Sequence, residues 1–366
     1  MSMTTKAAVL TAPGKPFEIV EAELDGPHFG EVLVKWKVAG LCHSDLHLID
    51  HDFGLPLPAA GGHEISGVVA AVGPSVTSLK PGDRVVACLI AYCGACARCL
   101  AGQTTLCLNQ EAVVRGPEEK PRLTLQDGTP VAQSVNVGGF AEQVLVHENQ
   151  LAVVNEDIPF PQAALIGCSV VTGAGAAINT AHVRPGDTVA VVGVGGIGLN
   201  AVSGARLCGA KRVIAIDLDD SKLEAARRFG ATDVVNSGSG DAVEAVLGIT
   251  GTGVDHAFEA IGLPVTQQLA QDVLGPGGTA YLIGIAPPGT TAQFGASLDS
   301  LFAQRRLQAV AMGSSNIQRD IPLYADLYVQ GRMDLDHMVS QEISLDEINT
   351  GYERLLNGEV IRSVIT

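Results

Sequence analysis

Thr188-Val189-Ala190-Val191-Val192-Gly193-Val194-Gly195-Gly196-Ile197-Gly198 decides the fold of the second half of this chain. An apolar run of strand length enters G-x-G-x-x-G and leaves it in residues that favour a helix. A lone glycine pattern is weak evidence, but one set between a strand and a helix is specific for dinucleotide binding. Gly193 permits the tight turn, Gly195 lets backbone approach a pyrophosphate, and Gly198 lets the helix pack on the strand. Gly196 completes the loop, and the helix N-terminus behind it offers free N–H groups to phosphate. Asp217 ends the next apolar run, 19 residues after Gly198. A carboxylate there accepts hydrogen bonds from the adenine-ribose hydroxyls and repels a 2′-phosphate, which predicts NAD over NADP. Capping of the helix that begins near Ser221 is the other reading of Asp217. Lys222 fits ribose contact and solvated surface charge equally well.

Strands and helices alternate outward from this loop. Strands are predicted at 188–192, 212–216, 233–235, 254–258, 279–284 and 307–312, with helices at 198–209, 221–229 and 265–274. Six apolar strands with helical crossovers make an α/β domain, a doubly wound parallel six-stranded sheet. The first half reads differently. Val32, Val34, Trp36 and Val38 alternate with Leu33, Lys35 and Lys37, a period of two. Further strands are predicted at 65–72 and 84–89, separated by the turn Lys80-Pro81-Gly82-Asp83. Short strands broken by glycine and proline suggest a partly open β-barrel. Residues 111–137 are polar and aperiodic and are expected to form a long surface loop. After Gly313 the alternation stops, and the tail is expected to rejoin the first domain. The boundaries are therefore 1–169, completed by 313–366, and 170–312.

The chain has 366 residues, 46% hydrophobic and 17% charged, which favours two packed domains over disorder. Asp and Glu total 39 against 23 Lys and Arg, a net charge of −16 that argues against nucleic acid and anionic membranes. Residues 1–10 lack a signal-peptide core, and no apolar run is expected to reach membrane-spanning length. A soluble, cytoplasmic protein is the expectation. In that compartment eight cysteines are better metal ligands than disulfides.

Four of the eight, Cys93, Cys96, Cys99 and Cys107, form C-x2-C-x2-C-x7-C. Four thiolates at this spacing can close a tetrahedral shell around one zinc ion with no place for substrate, so the loop is a structural staple. Cys42, His63 and Cys168 are scattered, and spacing alone does not join them. Two cysteines and one histidine with an open fourth position nevertheless suit a catalytic zinc. Cys88 and Cys208 remain as small core residues, and the lining of a substrate channel is a second reading of Cys88.

Gly40-Leu41-Cys42-His43-Ser44-Asp45-Leu46-His47, Gly62-His63-Glu64, the four-cysteine loop, Gly167-Cys168-Ser169-Val170-Val171-Thr172-Gly173, the glycine loop with Asp217, and Ile361-Arg362-Ser363-Val364 resemble, in order, the zinc-dependent medium-chain alcohol dehydrogenase family. The long loop before Phe140 and the Cys168 ligand resemble the branch of animal alcohol dehydrogenases and glutathione-dependent formaldehyde dehydrogenases. The resemblance implies a GroES-like catalytic domain and a Rossmann domain. It implies that Cys42, His63 and Cys168 hold catalytic zinc, Asp45 orients His63, and Glu64 sits behind the metal. Ser44 would take the alcohol proton and His47 would pass it on. His43 and Arg362 would contact the pyrophosphate, and Thr172 would pack on the nicotinamide. Ordinary structural roles compete for several of these: a surface His47, a turn hydroxyl at Ser44, a strand-start charge at Glu64, and a surface ion pair at Arg362.

By the same resemblance Ser44, Phe53, Leu89 and Phe140 line the substrate pocket. Small Ser44 and non-aromatic Leu89 favour larger or aromatic primary alcohols. The implied reaction is hydride transfer between a primary alcohol or aldehyde and NAD, with two zinc ions per chain, in a homodimer or tetramer associating near 297–312. Competing readings are a thiol-dependent formaldehyde dehydrogenase, with Arg115 holding an anion, an oxidoreductase that never releases NADH, and a non-catalytic dinucleotide-binding protein.

Overall fold

Val189, Ala190, Val191 and Val192 are buried at the centre of a parallel sheet, as an apolar run without alternation requires. The computed structural model describes residues 2–50, 54–294 and 298–366. Two compact units divide the chain: Met1–Cys168 with Asn316–Gly331 and Leu335–Thr366, and Ser169–Ser315 with Arg332–Asp334.

In the second unit six strands lie in the order Asp233–Asn236, Arg212–Asp217, Thr188–Val192, Val254–Glu259, Leu274–Leu282 and Arg306–Ala309. Each neighbouring pair is parallel. The order reverses beside Thr188–Val192, which places a crevice at the carboxyl end of that strand. Helix Gly196–Leu207 starts two residues earlier than predicted, because Gly195 already serves as its N-cap. Helix Asp220–Phe229 is capped by Asp219, whose carboxylate accepts from Ser221 N, and ends at left-handed Gly230. Two differences from the predicted elements have local causes. Leu274–Leu282 begins five residues early, running through Pro276 and Gly277, residue types that favour turns. Helix Ala242–Thr250 was not predicted, although Asp241 caps it and Gly251 ends it.

In the first unit Glu31–Gly40 is the hub. Its buried pattern is broken only at Lys35 and Lys37, and it pairs antiparallel with Glu64–Val72, Gln143–His147 and Arg362–Ile365. A separate closed barrel contains Met3–Leu10, Glu18–Leu24, Leu123–Leu125, Pro130–Gln133 and Ala59–Ala60. This corrects the expectation of a surface loop over 111–137. Two barrel strands lie inside it, each too short to display a period. The polar character of the stretch is also used internally. Arg115 and Arg122 both bond Glu31, at 2.6 and 2.7 Å, and all three are buried or nearly so.

Among the described residues one apolar helical segment, Phe160–Thr180, is long enough to cross a membrane, contrary to the sequence expectation. Within it 83% of the most apolar window is buried inside the protein, as in a core helix. Its small residues explain both facts. A Cβ on Gly173 would fall 2.2 Å from the Ile197 carbonyl oxygen, so glycine allows close packing there.

Candidate metal and dinucleotide sites

The strand Glu31–Gly40 delivers Cys42 to the start of helix His43–Asp50, and its partner Glu64–Val72 begins immediately after His63. Gly40 pairs with Glu64 across the two strands. A Cβ on Gly40 would lie 2.5 Å from Glu64 Oε2, so glycine makes room for that carboxylate. Cys168 comes from the π-helical turn Ile166–Val170, a local widening common at functional positions. One ligand atom from each of Cys42, His63, Glu64 and Cys168 falls within 4.8 Å of the others, and all four residues are buried. The convergence that spacing could not establish is therefore present within one unit.

Around this cluster the hydrogen bonds are directional. His63 Nδ1 and the Gly62 N–H both meet Asp45 Oδ1, each at 3.2 Å. That leaves His63 Nε2 facing the cluster, where Ser44 Oγ lies 3.2 Å away and also donates to Cys42 Sγ at 3.1 Å. A carboxylate behind a ligating imidazole fixes its tautomer and orientation. Arg362 is buried, with Nε 3.7 Å from Glu64 Oε2 and Nη2 3.9 Å from Cys42 Sγ. A pairing with a surface carboxylate is thus excluded for Arg362.

Protons are unevenly held here. A hydrogen bond from Cys168, assisted by Arg362, keeps the Cys42 thiol well below its ordinary value despite burial. The same bond, with burial, pushes Cys168 well up. Burial opposes charge on His63, but Asp45 outweighs it and raises the imidazole well above its usual range. Burial pushes Glu64 up to about 8 against the pull of Arg362, and neither of its oxygens has a hydrogen-bond partner among the described residues. A divalent cation resolves this competition, because metal binding displaces thiol protons and neutralises the acidic excess. Two cysteines, an imidazole and an adjacent carboxylate match a zinc site with an open position.

The second group is Cys93, Cys96, Cys99 and Cys107. Sulfurs around a tetrahedral zinc sit about 3.8 Å apart, given Zn–S bonds near 2.3 Å. Here Cys96 and Cys99 are 3.4 Å apart, and Cys93–Cys99 and Cys96–Cys107 are each 4.0 Å apart. Backbone N–H groups of Cys93, Cys96, Leu108 and Asn109 point at these sulfurs. The Leu108 and Cys99 backbone N–H groups hold Cys96 down at about 6, favouring thiolate. Among the described residues no carboxylate or histidine joins this group, which fits a closed structural zinc.

The glycine loop meets its own geometric requirements. Gly193 has φ +86°, and a Cβ on Gly198 would lie 1.9 Å from the Gly193 carbonyl oxygen. A Cβ on Gly195 would meet nothing within 4 Å, leaving open space where a pyrophosphate can approach. Asp217 does not cap the following helix, which Asp219 does. Its Oδ2 accepts from Val194 N at 2.9 Å and its Oδ1 from Leu218 N at 2.8 Å, so its carboxylate is held at the loop. Thr172 is buried in the same unit and bonds Met312 Sδ at 3.4 Å. Lys222 is half-buried on helix Asp220–Phe229.

Other sequence expectations fare differently. Phe140, expected at the substrate pocket, belongs to the hydrophobic core of the first unit. It has no exposed surface and packs edge-on against Phe17 at 5.6 Å and Tyr352 at 6.3 Å. The reason is Gly62, whose missing side chain lets the ring lie where a Cβ would be 2.6 Å away. Phe140 therefore supports the segment carrying His63 from within the core. Phe53 lies outside the described residues, and Leu89 is half-buried. Arg115 is not available to an anion. Its guanidinium meets Glu31 Oε1 and Oε2, Asp25 Oδ2, and the carbonyls of Lys120 and Gly26, all within 2.9 Å. All five N–H donors of the fork are thus spent. His43 is exposed and His47 half-buried on helix His43–Asp50, with His47 one turn from Ser44 on the same side. Cys88 and Cys208 are free thiols, Cys88 fully buried and pushed by burial up to about 12. Tyr352, buried with an unpartnered hydroxyl and packed on Phe17 and Phe140, was missed; nothing local in the sequence marks it.

Known proteins share this arrangement. Residues 28–156 match the profile of an alcohol dehydrogenase GroES-like domain, and residues 196–329 match that of a zinc-binding dehydrogenase. The chain is 42% identical to an NDMA-dependent alcohol dehydrogenase of Amycolatopsis methanolica, over 99% of each chain. It is 38% identical to an S-(hydroxymethyl)glutathione dehydrogenase of Paracoccus denitrificans, over 99% of this chain and 100% of the relative. The crystal structure of benzyl alcohol dehydrogenase from Acinetobacter calcoaceticus superposes with a TM-score of 0.91 at 35% identity, covering 99% of each chain.

Proposed function

Since this chain belongs to the zinc-dependent medium-chain alcohol dehydrogenase family, we propose that it interconverts primary alcohols and aldehydes, with NAD as hydride acceptor and one catalytic and one structural zinc per chain. The observation that carries this reading is the convergence of Cys42, His63 and Cys168, with Asp45 behind the imidazole. A non-catalytic dinucleotide-binding protein would have no use for that donor set.

Zinc supplies Lewis-acid polarisation of the substrate oxygen, and the nicotinamide supplies the hydride acceptor. The chain's own residues handle the proton. The Ser44 hydroxyl already spans Cys42 and His63, and its lone pairs can accept the alcohol proton while its own proton passes on. His47, one turn along the helix, is the group that would pass the proton on to solvent. His43 and Arg362 would contact the pyrophosphate, Lys222 the ribose, and Thr172 the nicotinamide. Asp217, anchored to the Val194 N–H, favours a free 2′-hydroxyl over a phosphate. The net change is alcohol plus NAD+ to aldehyde, NADH and one proton. His47→Gln is expected to slow turnover most at low pH, with partial rescue by small buffers. An unchanged pH profile of kcat would remove His47 from the relay.

The small Ser44 and the likeness to a benzyl alcohol dehydrogenase support larger or aromatic alcohols as substrates. Arg115, with every donor engaged, disfavours a thiol carrying a carboxylate. Exposed Leu298, Leu301 and Phe302 near the edge strand Arg306–Ala309 support a homodimer, taken to be cytoplasmic. The test is metal analysis together with kinetics on ethanol, hexanol and benzyl alcohol, with NAD and with NADP. Two zinc ions per chain, preference for NAD, and a higher kcat/KM for benzyl alcohol than ethanol are expected. Absence of alcohol oxidation in a protein holding two zincs would overturn the reading. The similarity to an NDMA-dependent enzyme favours a second form of it, in which NADH stays bound and passes its electrons to an external acceptor. NADH fluorescence in the purified protein, bleached by an acceptor and restored by alcohol without added NAD, would select that form.

A further inference from the structure

Asp45 presents only one of its two carboxylate oxygens to His63. Oδ1 takes both the His63 and Gly62 hydrogen bonds. Oδ2 is buried and has no hydrogen-bond partner among the described residues, and the same is true of the Tyr352 hydroxyl. Leaving two such groups unpaired would cost about 1–3 kcal/mol each. One is an acceptor and the other carries a proton to donate. They also share one neighbourhood: Asp45 accepts from the Gly62 N–H, the Phe140 ring lies on Gly62, and that ring meets Tyr352. Burial first, and then the Asp45 charge, push the Tyr352 phenol well above its ordinary value, so the hydroxyl keeps its proton.

The ring of Tyr352 cannot swing away. It sits on helix Ile348–Leu356, is 3% exposed, stacks on Phe17 at 5.9 Å and meets Phe140 edge-on at 6.3 Å. Phe140 in turn lies against Gly62, the residue before the imidazole ligand. The ring packing and the hydroxyl therefore act on the same short segment.

We propose that Tyr352 is a positioning residue for the metal site, its hydroxyl donating to Asp45 Oδ2 and so fixing the carboxylate that orients His63. The bond locks the Asp45 side chain and tempers its pull on the His63 Nδ1 proton. The inference rests on reading Cys42, His63 and Cys168 as the catalytic zinc ligands.

Tyr352→Phe keeps the ring stack and removes only the hydroxyl. In the purified zinc-loaded protein, release of one zinc to a chelator is expected to quicken about 10-fold, the usual scale for losing such a partner. The zinc of the four-cysteine loop serves as the internal reference and should leave at the wild-type rate. With cobalt in the catalytic site, the ligand-field absorption bands of Tyr352→Phe should differ from wild type. Unchanged release and unchanged bands would overturn the proposal, as would equal loosening of both zincs, which signals general destabilisation. A crystal structure of the zinc-loaded wild type tests it without any substitution: a Tyr352 hydroxyl within about 3.0 Å of Asp45 Oδ2 supports the bond, and an intervening water overturns it. A wild-type protein that binds only one zinc would instead defeat the catalytic-site reading itself.

Discussion

Cys168→Ala should lower kcat/KM for alcohols by roughly 10³-fold or more and reduce the zinc content from two per chain to one. Cys168 is one of two thiols in the buried cluster and the partner whose hydrogen bond favours thiolate at Cys42. Its loss leaves Cys42, His63 and Glu64, and Glu64 is drawn toward Arg362 at 3.7 Å. Lewis-acid stabilisation by a metal is worth several kcal/mol, and about 4 kcal/mol corresponds to roughly three powers of ten in rate. The four-cysteine loop should keep its ion, so the remaining zinc reports that the chain is folded. Retention of two zincs with near-normal turnover would show that Cys168 is not a ligand.

Glu31→Gln should destabilise the first unit by about 3–5 kcal/mol at neutral pH. Glu31 is 2% exposed, lies between Arg115 and Arg122, and ties the 111–122 stretch to the central strand. Removing its charge leaves Arg122 buried without a counter-charge, the costly way to break an ion pair. The pH dependence follows from the same geometry. Burial alone would raise the Glu31 carboxyl, but Arg115 and Arg122 outweigh it and hold the group at about 2, against an ordinary 4.5. A carboxylate depressed in the folded state stabilises fully above its unfolded pKa and loses that contribution as pH falls through the folded one. The difference between wild type and Glu31→Gln, read from urea midpoints, should therefore shrink between pH 4.5 and 2. A shift of that size is worth about 3 kcal/mol. A difference that stays constant across this window would mean that the arginines do not depend on the Glu31 charge.

These two sites differ in how far the sequence exposes them. Cys168 stands out only through its resemblance to a family motif, since more than a hundred residues separate it from His63. Glu31 does not stand out at all. Its partners lie in a stretch that reads as solvated loop, because charges spent in buried ion pairs look the same in sequence as charges facing water. Phe140 is the reverse case. Family likeness assigns it to a pocket, whereas its packing on Gly62, Phe17 and Tyr352 places it in the core. Helix Ile317–Val329 carries Pro322 in its interior, and a proline in a helical pattern reads as a break.

From the amino-acid order alone come the strand, glycine loop and helix at 188–207, the carboxylate at Asp217, and the four-cysteine staple. Each lies inside one loop or one strand–helix–strand unit, so spacing already constrains distance. The meeting of Cys42, His63 and Cys168, the spending of Arg115 on Glu31 and Asp25, and the packing of Tyr352 on Phe17 and Phe140 needed the folded molecule. Each joins segments that are remote along the chain, and their separation in space is set by sheet pairing and core packing that no local pattern encodes.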